Sequence, residues 1–202
     1  MKKAVMISIH PKWCNLIASF EKTVEVRKSR PKLEPPFKCY IYCTLGNPKD
    51  PRELLEIHGS DGKIHRANGK VIGEFWCDNL SYIAADVDVF GGRHLYNTAF
   101  LQRSMCLTED ELFRYLYKGE GKGNDGWGWH IRRLVLYDKP KPLSEFIKPC
   151  ENGLYCEICG MYSEFTEQCG NKALRLSRPP QSWCYVEELV WRDDRWQTRL
   201  RP

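Results

Sequence analysis

Residues 6–31 read MISIHPKWCNLIASFEKTVEVRKSRP, and three consecutive elements can be read in them. The run AVMISI, residues 4–9, is apolar and short enough for a first strand. Pro11 stands where a helix can begin, because the N–H it lacks would find no intrahelical partner there. Trp13, Leu16, Ile17 and Phe20 then recur at helical spacing. In SFEKTVEVRKSR, residues 19–30, Thr23, Val24 and Val26 favour extended backbone. Strand alternation places Lys22, Val24 and Val26 on one face and Thr23, Glu25 and Arg27 on the other. Two readings of so charged a strand stand side by side. It is a solvated edge whose charges discourage pairing with another sheet, or a polar site aimed at a negatively charged or amide-bearing ligand.

Outward from this stretch, RPKLEPPF reads as a rigid loop and KCYIYCTL as a strong strand. Gly46 to Gly69 carries the turn signals GSDG and RANG, which predict an inserted hairpin or long loop. KVIGEFWCDNLSYI is the next strand, with Gly73 marking a bulge or a close backbone approach. Residues 84–107 give no clean period beyond one short helix around Thr98 to Ser104. TEDELFRYLY opens with the capping box of Thr108 and Glu111 and continues as a helix. HIRRLVLYD and RPPQSWCYVEEL supply two later strands. Short strands broken by a few helices predict an α+β fold, a small mixed β-barrel with flanking helices. The expected organisation is one domain from residues 1–149 and 175–191, a Cys-rich insertion at 150–174 and a basic tail at 192–202.

The chain has 202 residues, 42% of them hydrophobic and 28% charged, enough to bury a core and unlike a disordered segment. No run approaches the roughly 18 apolar residues of a membrane helix, and the opening apolar stretch is too short for a secretory signal. A cytoplasmic protein without membrane partners is expected. The net charge of +5 permits nucleic-acid binding without demanding it. Ten cysteines without a secretory signal argue against a disulfide framework. Cys39 and Cys43 flank an apolar pattern and read as small core residues.

Cys150, Cys156, Cys159 and Cys169 form a C-x5-C-x2-C-x9-C cluster. The central CEIC pair fits the turn in which two thiolates grip tetrahedral zinc. Such a zinc would have no open coordination position and would only staple the insertion. Free cysteines are the alternative; redox chemistry needs a thioredoxin-like context that the chain does not show. Gly121, Gly123 and Gly126 spell G-x-G-x-x-G, but a helix precedes them and a strand follows, the reverse of a dinucleotide fingerprint. They predict instead a flexible loop bearing Trp127 and Trp129 at the border of a ligand cleft. No Ser-His-Asp order or paired carboxylates can be read from local spacing. His58, His65, His94 and His130 show no metal-ligand spacing, and His10 lies beside Lys12 and Trp13. Lys12, Lys22, Arg27, Lys28, Arg30 and Lys32 make a basic patch with Trp13 interleaved, matching phosphates and a stacked base or else simply a solvated face.

Residues 6–31, together with GWGWHIRRLVLYDKPKPLSEF and RPPQSWCYVEE, resemble ASCH-domain proteins of bacterial genomes and their prophages. The family motif, roughly G-x-K-x-x-E-x-R, falls on Phe20, Lys22, Glu25 and Arg27. The resemblance implies a PUA-like barrel whose cleft takes RNA or a modified nucleoside. Some small members resemble amidohydrolases that deacetylate N4-acetylcytidine with a lysine, a threonine and a glutamate; ribonuclease activity has been associated with others. Lys22 matches that lysine, and Glu25 stands in place of the threonine. The family's glycine is Phe20 here, so the turn is expected to avoid the left-handed conformation or to shift the bend onto Ser19.

The expected function is RNA or nucleotide binding by His10, Lys12, Trp13, Lys22, Glu25, Arg27, Lys28, Trp127 and Trp129. Glu25 would accept from an exocyclic amine and Arg27 would hold a phosphate. Hydrolysis of an acylated nucleoside or of RNA, with Lys22 and Glu25 catalytic, is the second reading. A phage-associated module that docks a protein through its Cys-rich insertion is the third.

Overall fold

The structure is a computed structural model describing residues 2–47, 49–150, 162–163, 168–169 and 171–189. In chain order its main elements are β1 (Lys3–Ile9), α1 (Pro11–Ala18), β2 (Val24–Arg27), β3 (Phe37–Cys43), β4 (Glu56–His58), β5 (Ile64–Arg66) and β6 (Lys70–Val87). These are followed by β7 (Arg93–Tyr96), α2 (Gln102–Met105), α3 (Glu109–Leu116), β8 (Asp125–Lys141), β9 (Tyr162–Ser163), β10 (Gln168–Cys169) and β11 (Trp183–Glu187). The result is a sheet-dominated α+β fold. No helix among the described residues is long and apolar enough to cross a membrane. The chain forms two compact units, and the long strands β6 and β8 each contribute residues to both.

The first unit comprises residues 1–14, 38–75 and 134–202. Its strand order is β11-β1-β3-β6, with β1 parallel to β3 (Val5 opposite Cys39) and antiparallel to β11 (Ala4 opposite Val186). Every residue of β1 after Lys3 is buried, Ser8 included, so both faces of the strand are covered. Ala4, Met6, Tyr40, Val71, Phe146 and Val186 belong to one core cluster, in which the Tyr40 and Phe146 rings meet edge to face at 4.9 Å. Cys39 and Cys43 are buried, in agreement with their sequence pattern. The Gly46–Gly69 region contains the expected hairpin, β4 against β5. Gly73 is a close approach: a Cβ there would lie 2.3 Å from the Val135 carbonyl oxygen.

The second unit comprises residues 15–37 and 76–133. Here the order is β6-β8-β2, with β7 also paired to β6. β2 runs antiparallel to β8, with Val24 opposite His130, Glu25 opposite Trp129, Val26 opposite Gly128 and Arg27 opposite Trp127. Val24 and Val26 join Ile83, Ala85, Met105, Leu112, Phe113 and Leu116 in the unit's core. The capping box of α3 is present: Glu111 N–H donates to Thr108 Oγ1 at 3.2 Å, and Thr108 N–H donates to Glu111 Oε2 at 2.9 Å. The short helix expected around Thr98 to Ser104 falls later, at Gln102–Met105, after the strand β7 that the sequence did not show.

Two expectations are corrected here. Trp127 and Trp129 are not in a flexible glycine loop; they lie inside β8, which begins at Asp125. In GWGW the glycines occupy one face and the tryptophans the other. A Cβ on Gly126 would meet Leu116 Cδ2 at 2.7 Å and the Arg27 carbonyl oxygen at 3.0 Å, and one on Gly128 would meet Val24 Cγ1 at 3.0 Å. Glycine therefore marks the crowded face of a strand rather than mobility. The second correction concerns Phe20, which does take the left-handed conformation, with φ of 62°. Phe20 N–H donates to the Ile17 carbonyl and Glu21 N–H to the Leu16 carbonyl, each at 3.0 Å. These nested bonds are a Schellman cap, built with phenylalanine at the position that usually prefers glycine. The Phe20 ring stays half exposed, so the bend is held by α1's final carbonyls rather than by packing of the ring.

Candidate nucleotide-binding face

The second unit carries the motif residues. The Schellman cap ends α1, and Lys22 N–H still reaches the Leu16 carbonyl at 2.9 Å, so Lys22 precedes the pleat of β2. For that reason it does not share the valine face as strand alternation suggests. Its side chain is 2% exposed; the ammonium donates to the Met105 carbonyl at 2.5 Å and lies 3.4 Å from Glu25 Oε2. Glu25 is also buried, and its other oxygen is 3.0 Å from Arg27 Nη2. The three charges form a chain, Lys22–Glu25–Arg27, in which one carboxylate is shared by two cations. Burying such charges is tolerated only because each is paired.

β2 is an edge strand, the last in the order β6-β8-β2, but it is not a solvated one. β2 pairs on one side with β8, and just ahead of the strand Thr23 N–H donates to the carbonyl of Ser104 in α2 at 2.9 Å. Val24, Glu25 and Val26 are buried. Exposure begins past Arg27, where Lys28 and Arg30 reach solvent.

Those exposed cations lie on aromatic rings. The Arg30 guanidinium sits 4.8 Å from the Trp127 ring centre, and Trp127 meets Tyr82 edge to face at 5.5 Å. Lys28 Nζ lies 5.1 Å from the centre of Tyr115. Burial pushes the Tyr115 phenol up, with Arg27 opposing and Glu25 reinforcing the shift, so this ring adjoins the buried charge chain. Trp129 is fully buried against Phe37, rings 5.8 Å apart and nearly perpendicular, and is a core residue of this face.

His10, Lys12 and Trp13 belong to the first unit. There His10 Nε2 is 3.3 Å from Glu53 Oε2, and Lys12 Nζ lies 4.3 Å from the Trp13 ring centre. Cys150 and Cys169 are also in the first unit. Their backbone N–H groups donate to the two oxygens of the buried Glu187 carboxylate, each at 3.2 Å. Cys156 and Cys159 lie outside the described residues, as do most of the Cys-rich insertion and the basic tail. No metal-holding group of His, Cys, Asp or Glu occurs among the described residues.

Sequence reasoning missed Tyr82 and Tyr115, which reach the face from β6 and α3. It also missed a groove of about 1260 Å³ in the second unit, walled by Ser81, Tyr82, Arg93, Asn97, Phe100 and Gln102 among others. Only the period-2 pattern of GWGW could have shown that Trp127 is in a strand; the other members have no local signal.

The fold is that of ASCH-domain proteins. The chain is similar to the crystal structure of ASCH from Zymomonas mobilis, with 18% identity over 92% of this chain and 88% of that one and a TM-score of 0.50. Two single-substitution variants of the same Zymomonas protein superpose likewise, each at 18% identity. The tyrosine-to-phenylalanine variant gives a TM-score of 0.50 over 93% of this chain and 92% of that one. The serine-to-alanine variant gives 0.51 over 92% and 89%. No protein-family model matches the chain, and comparison with curated proteins finds no relative.

Proposed function

We propose that this is an ASCH-type, PUA-like domain that binds RNA or a nucleotide on the face presented by Lys28, Arg30, Tyr82, Tyr115 and Trp127. The observation that carries the reading is the placement of exposed cations directly on aromatic rings, Arg30 on Trp127 and Lys28 on Tyr115. Phosphates need the cations and bases need the rings, and a face that carries both meets both requirements. Within this reading Lys22 and Glu25 support the face. Their ion pair holds the Arg27 guanidinium against Glu25 at the end of β2, next to the exposed Lys28. Lys22 as a nucleophile would need its amine free of both the Met105 carbonyl and Glu25, and no contact favours that role.

Fluorescence anisotropy with a labelled single-stranded oligoribonucleotide tests the proposal. Trp127→Ala should weaken binding by about fivefold to 150-fold, the equivalent of losing one stacked base at about 1–3 kcal/mol. Lys28→Ala and Arg30→Ala should each lower the salt slope of log K by roughly 0.7 per lost phosphate contact. Unchanged affinity and salt slope in all three variants would refute it.

A further inference from the structure

The groove in the second unit holds a side-chain pair that the nucleotide-binding reading does not use. Ser81 is on β6 and forms part of the groove wall. Its Oγ lies 2.8 Å from Nε2 of His130 on β8. That distance suits a hydroxyl donating to an unprotonated ring nitrogen. Ser81 thus stands at the groove with the imidazole behind it, the order in which a nucleophile and its base are arranged.

We propose that Ser81 and His130 are the nucleophile and general base of a second site, one that hydrolyses uncharged carboxylic esters bound in this groove. Burial, the largest influence, holds the His130 imidazole below the ordinary value. The Asp78 carboxylate opposes that effect and the Arg132 guanidinium reinforces it. The ring is therefore neutral, and able to accept a proton, at neutral pH. Asp78 and Arg132 are 3.4 Å apart and partly neutralise each other beside the ring.

The chemistry of the groove selects the substrate class. Arg93 is paired with Asp110 at 2.9 Å, His94 with Asp88 at 2.8 Å, and Gln102 donates to Glu109 at 2.8 Å. Arg93 is spent on Asp110, and the Glu109 carboxylate keeps its charge against a neutral amide, so the groove offers no net attraction to a polyanion, unlike the Arg30–Trp127 face. Its walls add Leu101, Phe100 and Phe113, which suit an alkyl or aromatic group. Leu101 and Ser81 both border the Gly128 position: a Cβ placed there would lie 3.7 Å from Ser81 Cβ and 3.8 Å from Leu101 Cδ1.

In the reaction Ser81 Oγ adds to the ester carbonyl carbon while its proton passes to His130 Nε2. Collapse of the tetrahedral adduct breaks the bond to the alcohol oxygen, which leaves with the proton from His130. Water then adds to the acyl-serine, again giving its proton to His130, and the carboxylic acid departs as Ser81 recovers its proton. The sum is ester plus water to acid plus alcohol.

The test is to treat the full chain with a fluorophosphonate probe, map the adduct by mass spectrometry, and measure hydrolysis of 4-nitrophenyl butyrate. One adduct at Ser81 is expected, slowed at least about a hundredfold in His130→Gln, the usual worth of a positioned base. Ester turnover should vanish in Ser81→Ala while oligoribonucleotide binding persists, which separates this site from the nucleotide face and shows that the variant is folded. Should Ser81→Ala not fold, His130→Gln labelling of the intact Ser81 carries the test alone. An unlabelled Ser81, or ester turnover equal in wild type and the folded variants, would show a cross-strand hydrogen bond only and overturn the proposal.

Discussion

Replacing Lys22 by methionine removes a buried charge while keeping a long, unbranched side chain, so it isolates the electrostatic role of the ammonium. At least two interactions are lost. The Met105 carbonyl loses a charged donor at 2.5 Å, and a buried acceptor left without its partner costs about 1–3 kcal/mol. Glu25 loses a cation at 3.4 Å but keeps Arg27 at 3.0 Å on its other oxygen. Removing one member of a buried pair costs about 3–5 kcal/mol, and the surviving Arg27 contact places the combined loss near the lower end, about 3–4 kcal/mol. With a urea m-value of about 2–3 kcal/mol/M for a chain of this size, the unfolding midpoint should fall by roughly 1–2 M. Glu25→Gln in the Lys22→Met background should then cost less than in wild type, because no buried Lys22 ammonium is left there without its carboxylate. Contacting charges couple by about 0.5–3 kcal/mol, and a coupling of at least about 1 kcal/mol is expected here. Urea titrations of the four proteins, followed by the fluorescence of tryptophans that include the buried Trp129, give both quantities. A midpoint shift below about 0.3 M, with additivity within about 0.5 kcal/mol, would refute the argument that Lys22 is a strut.

Three further outcomes follow from single contacts. Gly73→Ala would put a Cβ against the Val135 carbonyl at 2.3 Å; two backbones must separate, so a loss of about 1–3 kcal/mol or more is expected in thermal or urea melts. His130 should titrate below the free-histidine value by NMR, and lower still in Asp78→Asn, since Asp78 raises it. Because the unfolded chain takes up this proton near pH 6.5 and the folded chain does not, stability should fall as the pH drops from about 6.5 through the folded-state value; a midpoint at or above the free value would contradict the burial argument. We also propose that Cys150, Cys156, Cys159 and Cys169 hold a structural zinc, with Glu187 drawing the amides of the first and last together. Stoichiometric zinc by elemental analysis, lost in Cys150→Ser, is the expected result, and zinc-free protein with all four thiols freely titratable would refute it.

Much of the frame is local and was therefore legible. The apolar run of β1, Pro11 at the head of α1, the Thr108–Glu111 capping box and the hairpin in the Gly46–Gly69 region each depend on residues a few positions apart. The K-x-x-E-x-R spacing likewise marked Lys22, Glu25 and Arg27 as a charged group. The errors arose where a local rule met a crowded neighbour. Glycines in GWGW suggested a loop, but they are small because Leu116, Val24 and the Arg27 carbonyl occupy the space a side chain would need. Phe20 suggested an avoided left-handed turn, but the two capping bonds to Ile17 and Leu16 hold it there.

What the sequence by itself determined is the charge, the elements around residues 6–31 and the identity of the motif residues. These follow from side-chain chemistry and from spacing along the chain. Only the tertiary structure decided what those residues touch. It turned Lys22 inward to Met105 and Glu25, set Arg30 on Trp127, and brought Ser81 to His130 from forty-nine positions away. The physical reason is that pairing of β2, β6 and β8 fixes which side chains face one another. Strand pairing joins segments that no local periodicity connects.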